Sequence, residues 1–355
     1  MITILNRPDV AIIVLTRNAG SQWARWIAGI KRQTVQAGRY LVMDSFSSDD
    51  TAKLALDAGL EVYSLDPDHF NHGGTRQLAA ELCHEAKYLV FLTQDAILDE
   101  PDSLESLLKH FADPQVGMAY GRHIPHLSAS LLEKHARGYT YPEQSVTRTR
   151  EDLQVLGFRA AFSSDVYAAY RTAALSSVGG FPEHIIVSED SYVSARLLLA
   201  GWKTVYSAES HVKHSHHYSL LQTFRRYFDV GVFHASEAAL LRGIGKPDKE
   251  AWVYVRSLIA YLSERRKSLL PLAAVQTFVK LLGFRLGKHY ARLPVSVCQW
   301  ISLQKAYWHP AQGVAEPWLG TLYLQAQNGG NLSIPVKLLQ PATRQILAKA
   351  VSTAS

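Results

Sequence analysis

The chain has 355 residues, enough for two domains or for one large domain with an appendage. Its 47% hydrophobic content supports a sizeable core, and its net charge of +6 turns it toward polyphosphate ligands, anionic lipid or nucleic acid. Two distant cysteines, Cys83 and Cys298, exclude a disulfide framework and a cysteine zinc site, and suit a reducing compartment.

Residues 10–15 are apolar and rich in β-branched side chains, which predicts a central parallel strand ending at Thr16, Arg17 and Asn18. The run is too short for a signal peptide. Residues 21–33 read as a helix, 41–43 as a second strand ending at Asp44, 52–58 as a helix with Ser and Asp caps before it, and 61–65 as a third strand. This βαβαβ alternation predicts a parallel sheet with helices on both faces. No G-x-G-x-x-G follows the first strand, which disfavours a dinucleotide-binding domain. Asp44 is placed to accept a hydrogen bond from the N3–H of a pyrimidine base; Asp49 and Asp50 suit ribose hydroxyls or, more simply, helix capping.

Phe70-Asn71-His72-Gly73-Gly74-Thr75-Arg76 combines two glycines, a helix start and an arginine, which suits a diphosphate; a plain glycine turn with a solvated Arg76 is the alternative. Residues 88–96 form an apolar run ending in Thr93-Gln94-Asp95. In open α/β sheets ligands sit beyond the carboxyl ends of strands, so Asp95 is expected at a metal or a phosphate-bearing ligand, with turn capping as the competing role. Residues 104–111 read as a helix and 117–121 as a strand. Residues 127–153 look like an irregular excursion over the sheet, of the kind that forms a lid or binding loop.

Glu189 and Asp190 open a helix that ends at Gly201. One of the two could act as general base toward a sugar hydroxyl; pure capping is the alternative. Residues 204–206 predict a strand running into four histidines within residues 211–217. His214 and His216 point to one side of an extended segment, and with Asp95 they suit Mn²⁺ or Mg²⁺ bound mainly through substrate phosphates. Arg225 and Arg226, on a helix over 220–227, suit phosphate or a lipid diphosphate. From 251 to 309 the chain carries nine Lys or Arg against one acid, Glu264, interleaved with long apolar side chains. That pattern predicts basic amphipathic helices at an anionic membrane surface and, with no nucleic-acid motif, disfavours nucleic acid. No run of eighteen uninterrupted apolar residues is present, so no transmembrane helix is expected.

Together these stretches resemble the family 2 glycosyltransferases of the GT-A fold over about residues 8–235, and within them the bacterial rhamnosyltransferases. The resemblance rests on residues 70–76, 92–96 and 226–231, with Tyr120-Gly121-Arg122, Tyr141-Pro142 and His214-Ser215-His216. It implies an α/β fold, a mixed, mostly parallel sheet flanked by helices over 1–235; the basic, apolar composition beyond it predicts a membrane-associating helical region over 236–310, and the tail over 311–355 is unassigned. The resemblance implies that Thr16, Arg17, Asn18, Asp44, Ser47, Gly74, Arg76, Gln94 and Asp95 bind the nucleotide sugar, and that Asp190, beside Glu189, is the catalytic base. Asp95 with His214 or His216 would hold Mn²⁺ or Mg²⁺. Thr93 replaces the first acid of the family's D-x-D motif, Phe46 stands where glycine is common, and Gln77 and His123 replace Asn and Gln of the rhamnosyl subgroup. The implied activity is inverting transfer of L-rhamnose from dTDP-β-L-rhamnose to a lipid-linked glycan, by a peripheral protein at the cytoplasmic face of the inner membrane. A UDP-hexose or UDP-N-acetylhexosamine donor, and a non-catalytic membrane-associated assembly protein, are the alternatives.

Overall fold

In β1 (Leu5–Thr16) every residue from Val10 to Val14 is buried, as expected of a strand covered on both faces. Alternate side chains enter different layers. Val10, Ile12 and Val14 pack with Trp23, Trp26 and Leu104 on one face; Ala11 and Ile13 pack with Leu78, Val193 and Leu197 on the other. The computed structural model describes residues 4–65, 70–215, 218–244 and 250–308, and the backbone of 321–325 and 331–335.

The chain continues through α1 (Trp23–Lys31), β2 (Val35–Asp44), α2 (Thr51–Asp57), β3 (Glu61–Leu65), α3 (His72–Leu82), β4 (Tyr88–Thr93), α4 (Ser103–Leu108) and β5 (Val116–Ile124). Then come α5 (Leu131–Thr140), β6 (Val146–Arg148), α6 (Arg150–Leu156), β7 (Tyr167–Arg171), α7 (Thr172–Ser177), α8 (Glu189–Leu199) and β8 (Lys203–Lys213). The remainder is α9 (Leu220–Ser236), α10 (Ala238–Arg242), α11 (Glu250–Arg265), α12 (Leu270–Lys288), α13 (Val295–Ile301), β9 (Thr321–Gln325) and β10 (Asn331–Pro335). The sheet order is β10-β9-β3-β2-β1-β4-β7-β5-β8-β6. Its β3-β2-β1-β4 core is parallel, with β7 inserted antiparallel between β4 and β5. This is the mixed, helix-flanked sheet expected of a GT-A domain, and it sets the ends of β1, β2 and β4 side by side.

Several expectations change. Residues 127–153 are not an irregular loop: they form α5, β6 and the start of α6. Ser130 caps α5, accepting from the Glu133 N–H, and the helix rests on α11 through Leu132 against Leu258 and Leu262. Its apolar face is short, so the local pattern was faint. The tail adds β9 and β10 to the sheet edge beside β3.

The C-terminal helices close directly on the body of the fold. α12 packs along α9 through Gly283 and Gly287 against Gly231, where a Cβ would collide with the opposing backbone. Asp229 is buried and accepts from the Ser302 hydroxyl at 2.6 Å and the Leu303 N–H at 2.9 Å, which fixes the segment after α13. The stretch Lys267–Lys288 is long and apolar enough to cross a membrane by length and composition, with mean hydropathy 1.4. The rule of uninterrupted apolar residues misses it because Gln276, Thr277, Lys280 and Arg285 break the run.

Candidate active site

The strand ends build the first part of the site. Thr16 Oγ1 donates to Asp44 Oδ1 at 2.9 Å, and Ser47 donates to the same carboxylate from its N–H at 2.9 Å and its hydroxyl at 2.5 Å. The Asn18 N–H donates to Ser47 Oγ at 2.8 Å. The Gln94 amide reads the Arg17 backbone, accepting from its N–H at 2.8 Å and donating to its carbonyl at 3.2 Å. Phe46 has φ 49°, the left-handed region, which explains why glycine suits that position. Asp44 is buried and binds both loops, so three of the roughly four acceptor positions of a carboxylate are in use.

Asp95 follows β4. Thr93 Oγ1 donates to Asp95 Oδ1 at 2.7 Å, so the residue that replaces the first acid orients the second. His214, at the end of β8, brings Nε2 to 3.3 Å from Asp95 Oδ2. Arg137 of α5 presents Nη1 to His123 Nδ1 at 3.0 Å and Nη2 to His214 Nδ1 at 3.3 Å. The spacing of Asp95 and His214 fits a divalent ion: two adjacent octahedral ligands at about 2.1 Å lie about 3 Å apart. Among the described residues no group of three or more His, Cys, Asp or Glu is placed to hold a metal ion, so substrate oxygens and water would complete the shell. His216 lies outside the described residues.

A second, buried cluster lies at the start of α8. The Arg76 guanidinium bonds Glu189 through Nη1 and lies 3.1 Å from Asp165 Oδ2 through Nε. Asp165 Oδ1 accepts from the Tyr170 hydroxyl at 2.5 Å, and the Asp165 N–H donates to Asp190 Oδ2 at 3.2 Å. The Ser191 N–H holds the other Asp190 oxygen at 2.6 Å. Two carboxylates thus pair with one buried guanidinium, and the third, Asp190, lies within reach of its charge. Burial, then the Glu189 charge, pushes Asp190 up to about 6; burial also pushes Asp165 up to about 7, with Asp190 adding to it against Arg76. Burial works against ionised Glu189 as well, but Arg76 and His72 outweigh it and hold that carboxyl below its usual range.

Arg76 is therefore not open to an anion as the sequence suggested. Its charge is engaged by Asp165 and Glu189. The neighbouring glycines have a packing role. The Gly74 N–H donates to the Asn71 side chain at 2.8 Å, and Gly73 lies where any Cβ would strike the Pro182 carbonyl. Arg226 is exposed, and its charge reaches Glu189 and His72. Arg225, its neighbour, is half-buried, with Nε shielded from water and no hydrogen-bond partner among the described residues. Tyr141 connects the two parts: His123 stacks on it at 4.0 Å between ring centroids, and it interacts electrostatically with Asp190 and Arg226. Sequence reasoning assigned no role to Arg137 or Asp165; the histidines that meet Arg137 and the Arg76 that meets Asp165 lie 14 to 89 residues away, and nothing local marks either charge.

A family model described as glycosyl transferase family group 2 matches residues 88–302. The O-antigen chain rhamnosyltransferase RfbN of Salmonella typhimurium is 40% identical over 304 residues, covering 85% of this chain and 97% of that protein. The O-antigen chain rhamnosyltransferase WbaN of Salmonella anatum is 40% identical over 306 residues, covering 86% and 97%. Among solved structures, a mannosyltransferase from Pyrobaculum calidifontis in complex with GDP-Man and Mn²⁺ aligns with TM-score 0.49 and 18% identity over 85% of each chain. With the family model covering more than half its length and relatives matching most of it, this chain belongs to the family 2 glycosyltransferases.

Proposed function

We propose that this glycosyltransferase moves L-rhamnose from dTDP-β-L-rhamnose to a hydroxyl of a lipid-linked glycan in O-antigen or capsule synthesis, with inversion at the anomeric carbon. The observation that carries the mechanism is Asp190: a half-buried carboxylate at a helix start, held by two backbone N–H groups and with its proton affinity raised to about 6. A base tuned toward neutrality suits proton removal from a sugar hydroxyl. The names of the curated relatives support rhamnose as the sugar and O-antigen as the product class.

In this mechanism Asp190 takes the acceptor proton as the hydroxyl oxygen bonds to the anomeric carbon. The bond from that carbon to the diphosphate breaks, and dTDP leaves with its electron pair. One displacement inverts configuration without a covalent enzyme intermediate. Glu189 stays ionised in its pair with Arg76, and its charge keeps Asp190 basic. Thr16, Arg17, Asn18, Asp44, Ser47 and Gln94 shape the nucleotide pocket. Asp95 and His214 would hold Mn²⁺ or Mg²⁺, which when bound neutralises charge on the departing diphosphate. Arg226, and Arg225 beside it, would meet phosphate from the solvent side. With a lipid-linked acceptor, we assign the protein to the cytoplasmic face of the inner membrane, attached peripherally through residues 236–310.

Asp190→Asn tests the mechanism. Turnover should fall by about 10²–10⁴-fold while dTDP binding, read by calorimetry, stays unchanged. Unaltered turnover would remove Asp190 from the role of base. A UDP-sugar donor is the second reading, favoured by one feature: an Asp44 contact to a pyrimidine N3–H would not distinguish uracil from thymine. Competition of dTDP against UDP separates the two.

A further inference from the structure

α12 is built inside out. The side chains it buries are Ala273, Gly283 and Gly287, small residues closed on the body of the protein. Its large apolar side chains, Leu272, Val275, Phe278, Leu281 and Leu282, are exposed. On a helical wheel Val275, Phe278 and Leu282 lie opposite the buried set, with Leu281 and Leu272 on the flanks between them. A helix that packs against a core and faces water has the reverse arrangement. The helices before and after it also expose large aromatic side chains, with Trp252 of α11 73% exposed and Trp300 of α13 68% exposed.

The charges bear on what covers this face. Arg265, Arg266 and Lys267 precede α12, and Arg285, Lys288 and Arg292 end or follow it; all six are exposed. No Asp or Glu occurs from 268 to 308. A second copy of the chain laid face to face would oppose like charges. An anionic bilayer would meet the basic ends with headgroups and the apolar middle with acyl chains. Exposed tryptophans fit the same boundary.

We propose that the outward face of α12 is inserted side-on into the lipid, so that attachment is driven by apolar contact and only assisted by charge. The glycine face is closed on α9, so the helix lies along the catalytic domain rather than crossing the bilayer, although its length and composition would permit a span. The same α9 carries Arg226, whose charge reaches Glu189, so the lipid surface is one helix away from the catalytic cluster. The inference takes its purpose from the lipid-linked acceptor proposed above, but its observations are independent of the donor.

Flotation of the full-length protein with vesicles tests it, using phosphatidylcholine with and without phosphatidylglycerol. Wild type should retain at least about half of its vesicle binding in about 0.5 M NaCl, where surface charges are screened beyond about 4 Å. The double variant Val275→Glu, Phe278→Glu should bind about tenfold less at low and high salt. Arg285→Gln with Lys288→Gln should weaken binding at low salt only. dTDP binding by each variant reports that the catalytic domain is folded. A nitroxide on Leu282→Cys gives a reading free of added charge, since Cys83 and Cys298 are buried: it should become accessible to oxygen and shielded from aqueous nickel when vesicles are added.

Wild-type binding by the glutamate variant, complete loss of wild-type binding at high salt, or a label that stays in water would each overturn the proposal. So would a wild-type dimer that the glutamate variant dissociates while neither binds vesicles. Donor turnover measured on the same proteins distinguishes a failure of this proposal from a failure of the rhamnosyl reading.

Discussion

Arg76→Met removes the buried charge that the carboxylate cluster is built around and keeps most of the side-chain volume. In the wild type, Asp165, Glu189 and Asp190 are set against one guanidinium; in the variant they are set against none. Removing one partner of a buried pair costs about 3–5 kcal/mol, a large share of the roughly 5–15 kcal/mol that holds a domain folded. The cost depends on pH. Arg76 lowers all three carboxyl groups, so its loss raises the folded-state value of each. A carboxyl raised above its unfolded value holds a proton that the unfolded chain releases, so stability falls as pH rises from about 4 to the folded value. Wild-type Asp165 and Asp190 already impose this decline up to about 7 and 6. In Arg76→Met the decline extends to higher pH and includes Glu189. Urea unfolding should show a gap between variant and wild type of under about 2 kcal/mol at pH 5, widening to the full 3–5 kcal/mol or so at pH 8. A gap that is equal at both pH values, or that narrows on going to pH 8, would refute the charge argument.

Four further outcomes follow from the same geometry. Asp165→Asn should lower kcat by about ten- to a hundredfold without changing donor affinity, because it loosens Arg76 and leaves the nucleotide pocket intact; a matching loss in donor affinity would show a general structural defect. The transfer rate of the wild type should rise with pH through about 6 and then level, as Asp190 loses its proton, and a flat profile between pH 5 and 7 would contradict its role. Gly287→Val would drive side-chain atoms into the Phe228 carbonyl and should destabilise by about 1–3 kcal/mol or more in urea, with no effect expected if α12 were free of α9. Arg137 sets a positive charge against His214, beside the Asp95–His214 pair. Arg137→Ala should therefore tighten Mn²⁺ binding, measured by electron paramagnetic resonance without donor present, and Asp95→Ala should abolish it; Mn²⁺ binding unchanged in Asp95→Ala would exclude Asp95 from the metal site.

The strands that set the strand-end loops were legible because a strand buried on both faces leaves a continuous apolar run. Residues 10–15, 41–43 and 88–92 show this directly, and Asp44 and Asp95 followed from the ends of the second and third. Asp190 was legible as an acid opening a helix, but its company was not. Asp165 owes its position to Arg76 and Tyr170, and nothing local to Phe162-Ser163-Ser164-Asp165 announces a buried charge. Arg76 shows the opposite failure: a glycine pair and an arginine look like an anion site, yet Gly73 makes room for the Pro182 carbonyl and the arginine turns inward. α5 escaped notice because its partner, α11, lies more than 100 residues later. In α12 the composition gave away a basic, apolar helix, but which side faced out depended on glycines meeting glycine across α9.

The most direct test of the central claim is donor use by the purified protein with Mn²⁺, across dTDP-β-L-rhamnose and a panel of UDP-, GDP- and other dTDP-sugars, with a lipid-linked acceptor present. The account predicts selective consumption of dTDP-β-L-rhamnose, release of dTDP and an α-linked product, all lost in Asp190→Asn. Preference for a UDP-sugar would contradict the rhamnosyl assignment, and a product of retained configuration would contradict the single displacement by an acceptor activated at Asp190.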